Sequence, residues 1–359
     1  MLKVDLVTGE FPNAKSGIGR MHTEIYHILK KKIDIKLIYT NLLIINGIKL
    51  LSRLTFLMLV FLREKRDDSI IHIGSQENAH LLNLNLSRSV VTVCDIYPYL
   101  YSNNNIISKI IWALRIRGIK RAQKIISISK KTKEDLIRHC NIQSNKIHVI
   151  YLGVDESFKP IINLTKLNRF LDMHKLPRLS KYLLYIGSCQ KRKNIDKLLL
   201  AFSYLKKKKK YHNLKLILIT KISSETKSKI TESKLENEIF IKSEVSSREL
   251  VYYYNIASIF IYPSMYEGFG LPPLEAMASG CPIITSNTSS LPEIVGEAGI
   301  MINPNNIKEL TTAIDRVYSN DNLKKTMIMN GLAQAKKFRW GRTAVQTMNV
   351  YKSLSTYKE

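Results

Sequence analysis

Short runs rich in Val, Ile and Leu alternate with segments of helical period from the first residues onward, and no other feature of the chain limits its fold as much. KVDLVTG leads to a helical segment at about Arg20 to Lys32, then IDIKLIYT, an apolar helical segment near 50 to 64, SIIHIG and SVVTVCD. KIISIS, a helix at about Lys131 to His139, and KIHVIYLG complete a first series. Such alternation predicts an α/β architecture, a parallel sheet with helices on its faces. From Phe158 to Leu179 the periodicity fades and Pro160 and Pro177 intervene, which places an interdomain linker there. A second series runs from YLLYIGS through a helix at about Asp196 to Lys207, LKLILIT, IFIKS, a helix at about Ser247 to Asn255, SIFIYPS and CPIITS. Two doubly wound halves follow, residues 1–165 and 166–340, in keeping with 359 residues at roughly 150 per domain. Ligands of such sheets bind outside the carboxyl ends of the strands.

Charge is the unusual part of the composition. With 56 Lys and Arg against 29 Asp and Glu, the net charge of +27 calls for an anionic partner: nucleic acid, a lipid surface or a phosphorylated substrate. Its distribution is uneven, with eleven basic and two acidic side chains in residues 101–150, and no base but four acids in residues 251–300. Cys94, Cys140, Cys189 and Cys281 show no CxxC spacing, and the opening MLKVDLVTGE has neither a basic nor an apolar leader region, so a reducing, cytoplasmic setting is expected. The apolar stretch Leu54 to Leu62 is far short of the roughly 20 residues that cross a bilayer. The Lys206 to Lys210 run reads as a solvated helix end.

One segment carries chemistry in its local physics. IYPSMYEGFGLPPLEAMASG reads as a strand ending at Pro263-Ser264, a glycine loop, and a helix with Pro272 and Pro273 in its first turn and Gly280 as its stop. Backbone N–H groups and the positive end of the helix dipole then face the loop and suit a phosphate. Glu275, in about the first turn, and Glu267, in the loop, border one pocket and can accept hydrogen bonds from hydroxyls. A phosphate beside two hydroxyl-binding acids describes a sugar nucleotide. The cations for its diphosphate come from GSCQKRKN, where Arg192 and Lys193 precede another helix.

The chain resembles the retaining glycosyltransferases of family 4, from SGIGR at 16–20 through VVTVCDIYP, KIISISKKTKEDL, KIHVIYLGVD and YIGSCQKRKN to YEGFGLPPLEAMASG and the terminal FRW. Glu267 and Glu275 match that family's E-x7-E signature, a far more specific match than the Gly17 to Gly19 pair. The resemblance implies the GT-B fold: two facing Rossmann-like domains, the donor site in the cleft between them, and a last helix from about 341 to 359 crossing back to the first domain. It implies that Glu275 binds the ribose and Glu267 the donor sugar. It further implies that Gly268 and the amides of Phe269, Gly270 and Leu271 face sugar and phosphate, that Arg192 and Lys193 hold the diphosphate, and that the Gly17–Gly19 loop approaches donor or acceptor. Cys94-Asp95 stands where the family has a His-Asp pair, and a thiol is a poor substitute for imidazole. Thr220-Lys221 and Ser243 replace frequent glycines.

The implied reaction is hexose transfer with retention at the anomeric carbon, by front-face attack in which the leaving phosphate helps deprotonate the acceptor; Glu267, Cys94 and Asp95 are its catalytic candidates. Mannose from GDP-mannose leads, with UDP-glucose, UDP-galactose and N-acetylhexosamine donors as alternatives. No cofactor and no metal are expected, since the eight histidines, all at or before His212, show no ligand spacing. A glycosidase-like carboxylate pair would have no need of the glycine loop or the Arg-Lys cluster. The non-enzyme alternative is a basic protein binding nucleic acid or membrane. Nucleic acid lacks a recognition motif here, whereas Ile106 to Ala122, IISKIIWALRIRGIKRA, mixes Ile, Trp and Leu with five cations as interfacial helices do. The expected partners are therefore a nucleotide-sugar, a glycan or lipid-linked acceptor and an anionic membrane, met peripherally at its cytoplasmic face.

Overall fold

Twelve strands and thirteen helices follow one another among the residues that the computed structural model describes: 1–9, 17–39, 61–62, 65–66, 68–84, 86–101 and 106–355. Nearly all of the segment near 50 to 64, with the apolar stretch Leu54 to Leu62, lies outside them, as does Ser16 of SGIGR. The strands are β1 (Lys3–Thr8), β2 (Asp34–Tyr39), β3 (Ile70–Ile73), β4 (Ser89–Val93), β5 (Lys124–Ser127), β6 (Ile147–Val149), β7 (Lys181–Ile186), β8 (Leu214–Ile219), β9 (Ile239–Lys242), β10 (Ala257–Tyr262), β11 (Ile283–Ser286) and β12 (Ile300–Ile302). Helices α1 (Gly17–Leu29), α2 (Tyr97–Tyr101), α3 (Ile106–Arg121) and α4 (Lys130–Cys140) accompany the first six strands. The rest are α5 (Leu164–Met173), α6 (Ile195–Lys206), α7 (Ser224–Glu232), α8 (Ser247–Ile256), α9 (Leu271–Ala278), α10 (Leu291–Val295), α11 (Ile307–Ser319), α12 (Asp321–Ala335) and α13 (Trp340–Ser355).

The strands form two parallel six-stranded sheets, ordered β2-β1-β3-β4-β5-β6 and β12-β11-β10-β7-β8-β9. In each sheet the chain builds outward on one side and then reverses, at β1/β3 in the first and at β7/β10 in the second. Central strands are buried on both faces: Leu183, Leu184 and Tyr185 of β7 and Ile259, Phe260 and Ile261 of β10 are fully covered. That is why these strands read as continuous apolar runs rather than as alternations.

The chain divides into two compact units, Met1–Gly153 with Arg339–Glu359, and Val154–Phe338. Helix α13 therefore belongs to the first unit, where Thr343 Oγ1 donates to the Tyr151 carbonyl at 2.7 Å and Tyr351 OH meets His72 Nδ1 at 2.6 Å. A Cβ on Gly153 would stand 2.2 Å from the Trp340 nitrogen, so only glycine lets the two backbones come together.

Two sequence expectations give way. The boundary falls at Gly153–Val154 rather than near 165, and the segment read as a linker contains α5, capped by Asn163, whose side chain accepts from the Lys166 amide. Phe170 of α5 stacks on Tyr252 at 4.9 Å and meets Tyr253 edge-on at 5.0 Å, which ties the helix to α8 in the second unit. Only Phe170 and Leu171 of α5 are buried, too few to register as a period. The Lys206–Lys210 run is not a freely solvated end: Lys206 Nζ donates to the carbonyls of Tyr211, His212 and Leu214 and pairs with Glu238 at 2.6 Å, and Lys210 pairs with Asp315.

Candidate functional site

The reversal of the second sheet places the loops after β7 and β10 side by side at the carboxyl ends of adjacent strands, the position where doubly wound sheets bind ligands. These are the loops that carry Arg192 and Lys193 and the Glu267 segment. After β7 the chain makes a single tight turn over Lys191–Lys193 and enters α6 through Asn194, whose φ of 60° is left-handed. Asn194 Nδ2 donates to the carbonyls of Pro263 (3.1 Å) and Pro304 (2.7 Å), clasping this turn to the loops after β10 and β12. The Arg192 carbonyl accepts from the Met265 amide at 2.7 Å and from Ser264 Oγ at 3.1 Å.

The side chains converge in turn. Lys193 Nζ donates to both oxygens of Glu267, at 2.7 and 2.9 Å, and to Tyr262 OH at 2.9 Å. Arg192 Nη1 donates to the Tyr266 carbonyl at 2.8 Å and lies 3.4 Å from Glu267 Oε2. The Glu267 and Lys193 side chains are only 8% and 12% exposed, so neither charge could stay in place without the other. Burial, then the Glu267 charge, pushes the Tyr262 hydroxyl well above its usual range, so it is protonated.

The sequence NTSS after β11 fixes the backbone of the glycine loop. Ser289 Oγ accepts from the Glu267 amide at 3.0 Å and bonds to its carbonyl at 2.6 Å; Ser290 Oγ donates to the carbonyls of Glu267 (3.0 Å) and Phe269 (2.7 Å). Gly268 and Phe269 are thereby held in the loop, with Phe269 buried edge-on against Phe338. Gly270 caps α9 at φ 115°, a conformation that requires glycine, and Leu271 opens the helix. Because Pro272 and Pro273 have no N–H, this start offers fewer backbone donors to an anion than an ordinary helix, and more of the task falls to Arg192 and Lys193.

Glu275 stands just past the first turn, as the fifth residue of α9, and is buried. Its Oε2 accepts from Tyr254 OH of α8 at 3.0 Å. Burial and the Glu275 carboxylate raise the Tyr254 hydroxyl well above its ordinary value, so this donor keeps its proton. The sequence reading did not anticipate Asn194, Ser289, Ser290 or Tyr254; the hydroxyl run after β11 is the signal it could have used.

The remaining candidates lie in the first unit. Gly17 and Gly19 form no loop: Gly17 is the first residue of α1 and Gly19 is buried in its first turn, beside a cavity of about 230 Å³ that reaches Thr8, His22 and Tyr39. His22 Nε2 donates to the Gly74 carbonyl at 2.8 Å, and its Nδ1 lies 2.7 Å from Thr8 Oγ1. Cys94 follows β4 and is buried, its amide donating to Gln76 Oε1 at 2.9 Å and its carbonyl accepting from Thr132 Oγ1 at 3.1 Å. Asp95 Oδ1 accepts from the Tyr97 amide at 3.0 Å, at the start of α2. Among the described residues no three His, Cys, Asp or Glu side chains are grouped to hold a metal ion, and no helix is long and apolar enough to cross a membrane.

Two protein families match the chain, one over each series of strands. Residues 170–334 match Glycosyl transferases group 1, and residues 28–158 match Glycosyltransferase Family 4. The O-antigen chain mannosyltransferase B of Escherichia coli is 34% identical over 247 residues, covering 66% of this chain and 62% of that protein. The serotype-specific mannosyltransferase WbdA of Escherichia coli is 28% identical over 236 residues, 64% of this chain but 29% of its own length. The chain thus spans less than two thirds of these relatives. Among solved structures, sucrose-phosphate synthase from Thermosynechococcus elongatus superimposes with a TM-score of 0.83 over 100% of both chains at 18% identity, a likeness of fold.

Proposed function

The chain belongs to the group 1, family 4 glycosyltransferases with the two-domain GT-B fold, and from that premise we propose that it transfers a hexose, mannose in particular, from a nucleotide-sugar to a glycan or lipid-linked acceptor with retention at the anomeric carbon. The observation that carries the reading is the network joining Lys193 and Arg192 to Glu267 at the sheet reversal. It sets two cations and a hydroxyl-binding acid side by side, which is what a sugar diphosphate needs. The mannosyltransferases among the relatives support the choice of sugar.

In this mechanism the diphosphate draws Arg192 and Lys193, and their charge stabilises the leaving group as the glycosidic bond breaks. Glu267, released from part of its pairing, accepts hydrogen bonds from the sugar hydroxyls. It positions the sugar and is not a covalent nucleophile, because in front-face attack the acceptor oxygen itself bonds to the anomeric carbon. Glu275, steadied by Tyr254, takes the ribose. The departing phosphate accepts the acceptor's proton on the face it leaves. Cys94 and Asp95 supply no imidazole, so no step is assigned to a thiol. The reaction takes place beside the cytoplasmic face of a membrane, where a lipid-linked acceptor is found.

Thermal shift with GDP-mannose, UDP-glucose, UDP-galactose and UDP-N-acetylglucosamine tests the donor, since a ligand at a hundred times its Kd adds about 2.7 kcal/mol. GDP-mannose is expected to raise Tm most and to be consumed with an acceptor glycan. A larger shift with another donor overturns the choice of mannose, and no shift with any of them overturns the donor site.

A further inference from the structure

Residues 96–133 contain nine Lys and Arg and no acid, and α3 lies in their midst. One face of α3 is spent on the fold: Trp112, Ile116, Gly118 and Ile119 are buried, and a Cβ on Gly118 would stand 1.8 Å from the Ala79 carbonyl. The opposite face repeats at helical spacing through Ile106, Lys109, Ile110, Ala113, Arg117 and Lys120, all exposed. Ile106 is 70%, Ile107 53% and Ile110 54% exposed, and Tyr101 of α2, just before them, is 62% exposed. Apolar side chains thus dominate the start of the face and cations its end, with Lys109 set between the isoleucines. A groove of about 660 Å³ runs along it, floored by Tyr99 and Trp112 and bordered by Lys109, Arg117 and Lys120.

We propose that this face of α3, with Tyr101, seats the protein on an anionic phospholipid bilayer: the isoleucines enter the interfacial layer, and Lys109, Arg117 and Lys120 hold lipid phosphates along the groove. Charge complementarity selects the partner's sign. The isoleucines select its kind, because a nucleic-acid backbone would leave them against charged phosphates, whereas a bilayer interface offers hydrocarbon to the isoleucines and phosphates to the cations. The inference deepens the proposed placement beside a membrane and rests on it for its purpose. Lipid contact is read without any sugar transfer, so failure of one is distinguishable from failure of the other.

Flotation uses the full chain with vesicles of phosphatidylcholine alone and of phosphatidylcholine mixed equally with phosphatidylglycerol. The unmodified protein is expected to float with the mixed vesicles only. Lys109→Glu/Arg117→Glu/Lys120→Glu is expected to lower partitioning by about a hundredfold or more, and Ile106→Ser/Ile110→Ser by roughly tenfold. Lys109→Arg/Lys120→Arg is expected to float like the parent. All the positions are exposed, and an unchanged Tm shows that a variant is folded. Recovery of the parent in the soluble fraction, equal flotation with both vesicles, undiminished flotation of the charge-reversed variant, or displacement from mixed vesicles by equimolar duplex DNA each overturns the proposal.

Discussion

The two sheets reverse in the same way yet hold opposite chemistry where they do so. At β7/β10 a buried ionic network joins Lys193, Arg192 and Glu267. At β1/β3 an imidazole joins the ends of the strands, with His22 bridging Thr8 and Gly74. The first sheet keeps its ionic cluster of Arg66 with Asp5 and Asp34 toward the amino ends of its strands, away from the reversal. Topology thus decides where a site can be, and the residues at the strand ends decide what it can take. One end holds paired charges, the other an imidazole between a hydroxyl and a carbonyl.

That contrast can be broken most forcefully at Glu275. Glu275→Ala is expected to reduce sugar transfer by about a thousandfold or more, losing a charged contact in a dry site, and to weaken nucleotide binding measured by calorimetry. Full activity would remove the acid from the donor site.

Lys193→Met comes next, with transfer falling by about a hundredfold and Tm dropping as well. It leaves Glu267 buried beside Arg192 alone, and breaking a buried pair from one side costs about 3–5 kcal/mol. If Tm and activity both held, the network would be ornamental.

A buried imidazole of the first unit is tested by acid. Burial holds His72 down to about 3, between Tyr351 and Thr92. Its ordinary value in the unfolded chain is about 6.5, so protons bind the unfolded state first. This contribution to stability is complete above about pH 6.5 and is lost as the pH falls from there toward 3, by several kcal/mol. Urea melts at pH 7 and at pH 4 should show that loss, and His72→Gln should flatten it.

Tyr254→Phe sharpens the contrast on a smaller scale. Loss of one hydrogen bond to Glu275 is expected to raise the donor KM roughly tenfold while kcat changes little. The smallest effect is expected from Cys94→Ala, with activity within about twofold, since the Cys94 bonds that define its place, to Gln76 and Thr132, are made by its backbone. A large loss there would give the thiol a chemical role.

The sequence made the sheets legible because their buried strands are short, uniform and punctuated by helices, and it showed Glu267, Glu275, Arg192 and Lys193 through glycine, proline and charge. It did not show that Lys193 grips Glu267, because the two lie on different loops and meet only through the order β10-β7. Asn194 and the Ser289-Ser290 pair read as ordinary turn residues until the carbonyls they hold are in view. Gly17 and Gly19, which the resemblance implies to be a loop approaching donor or acceptor, lie in the first turn of α1. The supposed linker misled because α5 buries too little to leave a periodic trace.

The grip of Lys193 on Glu267 also works as a filter. A cell is full of small anions that two surface cations would collect indiscriminately. Here an intruding phosphate has to take Lys193 from a carboxylate that already satisfies it, and it leaves that carboxylate stranded in a dry place. Only a guest that brings hydroxyls for Glu267 along with phosphates for the cations compensates both partners at once. Under the proposed function the pocket responds to the conjunction of sugar and diphosphate, and the pair that accepts the whole molecule disfavours bare phosphate.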